Sequence, residues 1–165
     1  MTTKYLHEIR DPIHTFIRIE SEERKALDSR PFQRLRHIHQ LATTFLLYPG
    51  ATHRRFEHSL GVMELATRVY NVITDPANVH ESMRSILPRF NETEHKIWQR
   101  TLRMAALFHD VGHLPFSHAA EEELLPEGWD HERLTVDIIR GPEMQPIWQE
   151  IHVNAKDVAM LAVGP

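Results

Sequence analysis

Residues 108–118 read FHDVGHLPFSH, three histidines and one aspartate in eleven positions, directly after the apolar run MAAL at 104–107. Burying an ionised aspartate at the end of an apolar helix costs on the order of several kcal/mol unless it is paired or bound to a cation. One divalent metal is such a partner: neutral imidazole and carboxylate oxygen together suit Mn, Fe, Zn, Co or Ni, with Mg a further choice. Adjacent side chains diverge by about 100° on a regular helix. His109 and Asp110 can therefore reach one ion only where the helix ends or kinks, and Gly112 supplies that break. Taken alone, the pair has a plainer reading, a capping aspartate beside a satisfied core histidine.

Working outward, the apolar spacing predicts a helix over 94–108, and three helical pieces around 116–125, 131–140 and 143–151. Gly141-Pro142 and the LPEGWD stretch at 125–130 separate them. Upstream, a helix from Arg55 to about Ile73 carries Phe56, Leu60, Met63, Leu65, Val69 and Val72 as its apolar positions. Ser29 and Pro31 open another, in which Phe32, Leu35, Ile38 and Leu41 share one face. SEERKALDS at 21–29 is helical, FLLYPGAT at 45–52 is a loop, and the polar stretch 75–95 connects with at most one short helix. Residues 4–9 and 14–19 alternate about Asp11-Pro12, which predicts a short hairpin. The fold class is all-α, a mostly helical bundle with a short N-terminal β-hairpin. At 165 residues it is read as a single domain, 1–165.

The totals exclude more than they assign. Apolar residues are 41% and charged residues 25%, a globular balance. A net charge of −4 does not indicate a nucleic-acid binder. The chain has no cysteine, so disulfides and thiolate metal sites are out. The N-terminus has no apolar signal core, and no stretch nears the roughly 18 apolar residues of a membrane span, so a cytoplasmic protein is expected. Thirteen histidines are unusual, and their placement has to show which carry chemistry.

A third metal ligand must come from a separate element, and His58 in RFEHSLG at 55–61 is polar at the head of an apolar helix. With His109-Asp110 it forms the pattern H…HD. Here the chain resembles the HD-domain metal-dependent phosphohydrolases, most closely the deoxynucleoside triphosphate triphosphohydrolase (dGTPase-like) branch. The resemblance runs over roughly residues 8–140. It rests, in order, on IRDPIHTFIRIE, SRPFQRLRHIHQLATT, YPGATHRRFEHSLGV, ALFHDVGHLPFSHAAE and DHERLT.

That resemblance implies a metal held by His58, His109 and Asp110. It implies that His113 and His118 serve the substrate phosphate, and that His131-Glu132 complete a relay to the phosphate-bound water. Glu121 follows His118 by three residues, a spacing that places both on one helical face, where it can orient His118. Its alternative is a solvated face of the Glu121–Glu123 run, and that of His131 is a surface histidine in a first helical turn. The resemblance also puts Arg55 against the nucleotide, as a fork for phosphate. It lays Gln40 and Leu41 against sugar and base, the leucine crowding out a 2′-hydroxyl; otherwise the two merely end a helix. Arg34, Arg36 and Arg54 are read as solvated charges. The family's fourth ligand, a later aspartate, has no match here, and Asp157 is a weak substitute. A chain truncated relative to the family is therefore expected. Thr15 and Ala42 stand where relatives tend to have glycine, which narrows a pocket or opposes a positive φ.

The leading expectation is a metal-dependent hydrolase converting a deoxynucleoside triphosphate to deoxynucleoside and triphosphate, as a homo-oligomer. Alternatives are a phosphomonoesterase or phosphodiesterase on another nucleotide, or a nucleotide-binding module with weakened catalysis.

Overall fold

A computed structural model describes residues 6–86 and 90–164. Two antiparallel strands, β1 (Leu6–Asp11) and β2 (Thr15–Glu20), pair in register from Leu6 opposite Glu20 to Asp11 opposite Thr15. The turn closes on Asp11, whose Oδ1 accepts from the Ile13 and His14 amides at 2.9 and 2.7 Å. Alternation places Ile17 and Ile19 in the core while Phe16 and Arg18 face outward. Lys4 and Tyr5 of the expected first strand, and positions 87–89 of the connecting stretch, lie outside the described residues.

Eight α-helices follow among the described residues. They are α1 (Glu23–Leu27), α2 (Arg30–Gln33), α3 (Arg55–Thr74), α4 (Glu92–Phe108), α5 (His118–Leu124), α6 (His131–Arg140), α7 (Gln145–Glu150) and α8 (Ala155–Val163). The mostly helical fold with one short hairpin matches the sequence reading. Helix α4 is the hub: α3 packs along one side of it and α8 along another, with α6 against α8. Its start is fixed by a capping box, the Asn91 side chain accepting from the Glu94 amide and Glu94 from the Asn91 amide. Its last turns bury Met104, Ala105, Leu107 and Phe108. From Phe108 an aromatic chain runs to Trp148 at 5.1 Å and through Phe32, at 5.4 Å, to Phe56.

One buried ion pair ties the hairpin to this hub. Arg103 of α4 donates twice to Glu23 of α1, at 2.5 and 2.8 Å, and also to the Arg18 carbonyl of β2 and to Thr67 of α3. Four elements thus meet on one guanidinium, whose donors are nearly all satisfied.

Three readings need correction. The helix expected over 30–41 stops at Gln33 and tightens into a 3-10 turn over Arg34–His37, and Ile38 is already extended. Phe32, Leu35 and Ile38, each three residues on from the last, still bury one face because three is the period of the tighter helix. Leu41 then falls outside it and is 46% exposed. In α3 only the first half is buried; Leu65, Val69 and Val72 face solvent. Finally, residues 155–163 form a helix where none was expected. Asn154 caps it, and Val158 and Ala159 seal it onto the core.

Thr15 and Ala42 both adopt positive φ, 67° and 47°. A β-branched residue held there is strained by on the order of 1–3 kcal/mol. The Thr15 side chain is exposed, so removing it sacrifices little packing. Thr15→Gly should raise the urea midpoint by about 1 kcal/mol equivalent at unchanged m value, after the roughly 0.5–1 kcal/mol entropy cost of glycine. A lowered midpoint would contradict this account of the turn.

Candidate active site and metal centre

Helix α4 ends at Phe108, and His109 and Asp110 leave it through tight turns, with Val111 N donating to Phe108 O and His113 N to Asp110 O. The ending lets two adjacent side chains converge. His58, in the first turns of α3, meets them from across the helix pair, and the three offer donor atoms all within 4.8 Å of one another. The ring orientation suits a metal. His109 Nδ1 lies 2.9 Å from the Ala106 carbonyl, which can only accept, so Nδ1 carries a hydrogen and Nε2 is the ring nitrogen turned to the cluster.

Packing against α6 enforces the helix ending. The Thr135 hydroxyl donates to the His109 carbonyl at 3.3 Å and accepts from Gly112 N at 2.9 Å, which satisfies groups orphaned by the helix end. Gly112 is there for closeness: a Cβ would lie 2.1 Å from the His131 carbonyl oxygen and 2.5 Å from Thr135 N.

Asp110 is 7% exposed. Its Oδ2 accepts from Arg55 at 2.5 Å and from Gln40 at 3.4 Å, while Oδ1 faces His109 Nε2 at 3.3 Å and His113 Nε2 at 3.5 Å. Burial pushes this carboxyl up, but His109, Arg55, His113 and His58 together outweigh it and hold the carboxyl below its ordinary range. Burial, reinforced by the Arg55 charge, lowers His113 to about 3, which leaves it neutral. Burial likewise lowers His58, against the pull of Asp110. An ionised Asp110 and a His58 ring pushed toward its neutral form are the states a divalent ion requires of its ligands.

A second carboxylate organises the other half. Glu121, 9% exposed, directs Oε1 at Nδ1 of His131 (3.1 Å), His118 (3.2 Å) and His113 (3.5 Å). His113 and His131 stack at 3.9 Å. Burial raises the Glu121 carboxyl, but the hydrogen bonds and charges of His131 and His118 prevail and hold it low. The solvated face belongs to Glu122 and Glu123; Glu121 turns inward. His118 remains open, its side chain 72% exposed.

Other expected positions fare differently. Arg55 is no free phosphate fork: it is 3% exposed, with one arm on Asp110 and the other on Ser117 Oγ at 2.8 Å. Glu132 lies exposed on the first turn of α6 and makes no hydrogen bond or ion pair among the described residues. Gln40 reaches Asp110 because the bridge between His39 and Arg54 lays its strand beside the start of α3. Leu41 stays at the surface. Asp157 sits on the first turn of α8 and outside both clusters. Arg34, read as solvated, donates to the carbonyls of Val111 and His113 and so braces the loop from behind. No periodicity signals that role. Arg36 lies over the Phe56 ring at 3.5 Å. A cavity of about 660 Å³ opens beside His58, between the hairpin turn, residues 50–53 and α3, with His14, His53, Val62 and Leu65 on its walls.

Residues 55–151 match the HD domain family. The chain belongs to that family. It is 34% identical over 169 residues to the deoxynucleoside triphosphate triphosphohydrolase SAMHD1 of Danio rerio, covering 99% of this chain and 24% of that one. The Homo sapiens enzyme of the same name is 32% identical over 171 residues, 95% of this chain and 25% of its own. A solved structure of a hypothetical protein from Aquifex aeolicus superposes with a TM-score of 0.71 at 33% identity, covering 94% of this chain and 36% of that one. The chain thus spans about a quarter of the length of these curated relatives. HD domains bind a divalent metal; among the described residues His58, His109 and Asp110 form a group able to hold one, and His113, Glu121 and His131 form a second group of closely spaced donor atoms. Among the described residues no helix is long and apolar enough to cross a membrane.

Two outcomes are expected. Gly112→Ala should cost about 3 kcal/mol or more in chemical denaturation, because its Cβ meets backbone that cannot step aside. His113 has a folded-state pKa far below its ordinary 6.5, so between about 3 and 6.5 the unfolded chain binds the extra proton. Stability of the metal-free protein should therefore be full above pH 6.5 and fall steadily below it. The carboxylates add their own loss only below their ordinary 3.8 and 4.5. In urea titrations from pH 7.5 to 5, His113→Gln should flatten that slope.

Proposed function

We propose that this HD domain is a metal-dependent phosphohydrolase acting on deoxynucleoside triphosphates and releasing deoxynucleoside and intact triphosphate. The observation that carries this reading is the contact between two clusters. Asp110, of the metal-holding set, lies 3.5 Å from His113, which shares Glu121 with His118 and His131. A divalent ion held at His58, His109 and Asp110 supplies polarisation of a phosphoryl oxygen and a lowered pKa for water.

The chain's own residues supply the rest. Water adds its oxygen to the α-phosphorus while the bond from that phosphorus to the sugar's 5′-oxygen breaks, so the departing alkoxide needs a proton. His118 is the exposed imidazole of the trio, with Nδ1 3.2 Å from Glu121, and is the ring placed to deliver that proton. His113 is buried and neutral, and can donate its N–H to a phosphate oxygen without adding a charge beside Asp110. The buried side-chain carbonyl of Gln40 has no hydrogen-bond partner among the described residues, which leaves it an acceptor for a sugar hydroxyl. The cavity beside His58 has room for the organic part of such a substrate. The substrate class itself is supported by likeness to relatives that bear the triphosphohydrolase name.

Mass spectrometry of products, with all four deoxynucleoside triphosphates and Mn²⁺, tests the reading. Deoxynucleoside with intact triphosphate is expected, and none with His109→Ala, which should also lose metal by calorimetry. His118→Ala should keep the metal and slow turnover by about 10²–10⁴-fold. Orthophosphate released stepwise, or turnover only of a nucleotide diester, would replace this reading with a phosphomonoesterase or phosphodiesterase.

A further inference from the structure

Ser117 stands at the N-cap of α5 and is a residue type that caps helices well, yet its hydroxyl bonds no amide of that helix. It accepts instead from Arg55 at 2.8 Å. Its backbone is also out of the ordinary. Phe116 and Ser117 are consecutive non-glycine residues at positive φ, 70° and 53°. Such strain persists only where the surroundings over-determine it. The surroundings here are Arg55, which holds Ser117 with one arm and Asp110 with the other, and Arg34, which holds the carbonyls of Val111 and His113. One guanidinium therefore sets the distance between the two ends of the 110–117 loop. The residue after Ser117 is His118, the first of α5.

We infer that Ser117 is a positioning residue: through Arg55 it fixes the exposed imidazole of His118 relative to the metal-holding carboxylate of Asp110. Its role in turnover rests on the phosphohydrolase reading above; the positioning itself does not. A serine that capped α5 would serve the helix. This one forgoes the cap and ties the start of the helix to the other cluster. Phosphoryl transfer needs the proton donor on the leaving-group side of phosphorus, so an error of an ångström in His118 is felt in kcat more than in binding.

Ser117→Ala and Ser117→Gly test the inference, since both remove the hydroxyl and the glycine also relieves the backbone. In nuclear magnetic resonance of histidine-labelled, metal-free protein, both variants should move the His118 ring signals and leave those of His109 in place. In the active protein both should lower kcat by about 10-fold or more, with KM and metal affinity within about two-fold. Added to His118→Ala, Ser117→Gly should cause no further loss, the non-additivity expected when one residue acts through another. If Ser117→Gly left the His118 signals and kcat unchanged, or if its effect simply added to that of His118→Ala, Ser117 would be only a strained turn residue and the inference would be overturned. Should wild-type protein hydrolyse no nucleotide, the ring signals still decide this inference, while the function proposed above falls alone.

Discussion

A buried carboxylate that needs positive partners organises this protein's functional end. Asp110 sits where α4 stops, almost without solvent, and its two oxygens face Arg55, Gln40 and three histidine rings. Leaving any carboxylate so placed unpaired would be severely destabilising. The guanidinium of Arg55 answers that need within the chain, and the imidazoles of His58 and His109 beside it offer nitrogen donors to a divalent ion as well. A site for a cation follows directly from the cost of burying an anion.

That carboxylate can be where it is only because α4 ends where it does. Thr135 of α6 takes the carbonyl of His109, and Gly112 allows α6 to come within contact of the loop backbone. The same helix, α6, brings His131 to Glu121. Packing of α6 on the end of α4 therefore assembles both clusters at once, and the two carboxylates, Asp110 and Glu121, divide the work. The first lies with His58 and His109 in one group of candidate metal donors, and the second draws three imidazoles together. His113 lies between them, touching both. The hairpin is joined to this arrangement at a distance, through Arg103 and its three partners, Glu23, Thr67 and Arg18.

Much of this was legible in the order of residues, and the exceptions share a cause. The bounds of the long helices α3 and α4 are legible, because a period of 3.6 accumulates over many residues, although the exposure of the second half of α3 is not. The short segment after Pro31 is not legible, since a spacing of three over Phe32, Leu35 and Ile38 serves either helix type until the tertiary contacts choose. Helix α8 is not legible because its nine residues, AKDVAMLAV, are too few and too uniformly apolar after Asp157 to show a period, and packing against α4 and α6 stabilises it. For the site, His58, His109, Asp110, His113, His118, Glu121 and His131, all conspicuous in the sequence, lie together in the structure. The contacts of Arg55 with Asp110 and Ser117, and of Arg34 with the loop carbonyls, are not legible, since a cation's partner, unlike its charge, is not written beside it.

The sequence by itself determined the chemistry on offer: an aspartate at an apolar helix end, histidines spaced to converge on it, and a glycine where the helix must break. These are local matters of spacing, solvation and backbone freedom, and they act before any long-range contact forms. Tertiary structure alone decided which charges are spent on one another. Arg55 reaches Asp110 fifty-five residues along the chain, Arg34 reaches the carbonyl of His113 across seventy-nine, and Glu121 turns away from its own acidic run to face three rings. Such pairings depend on distances in space that sequence separation does not encode, and in a buried site those distances set the charge of each group.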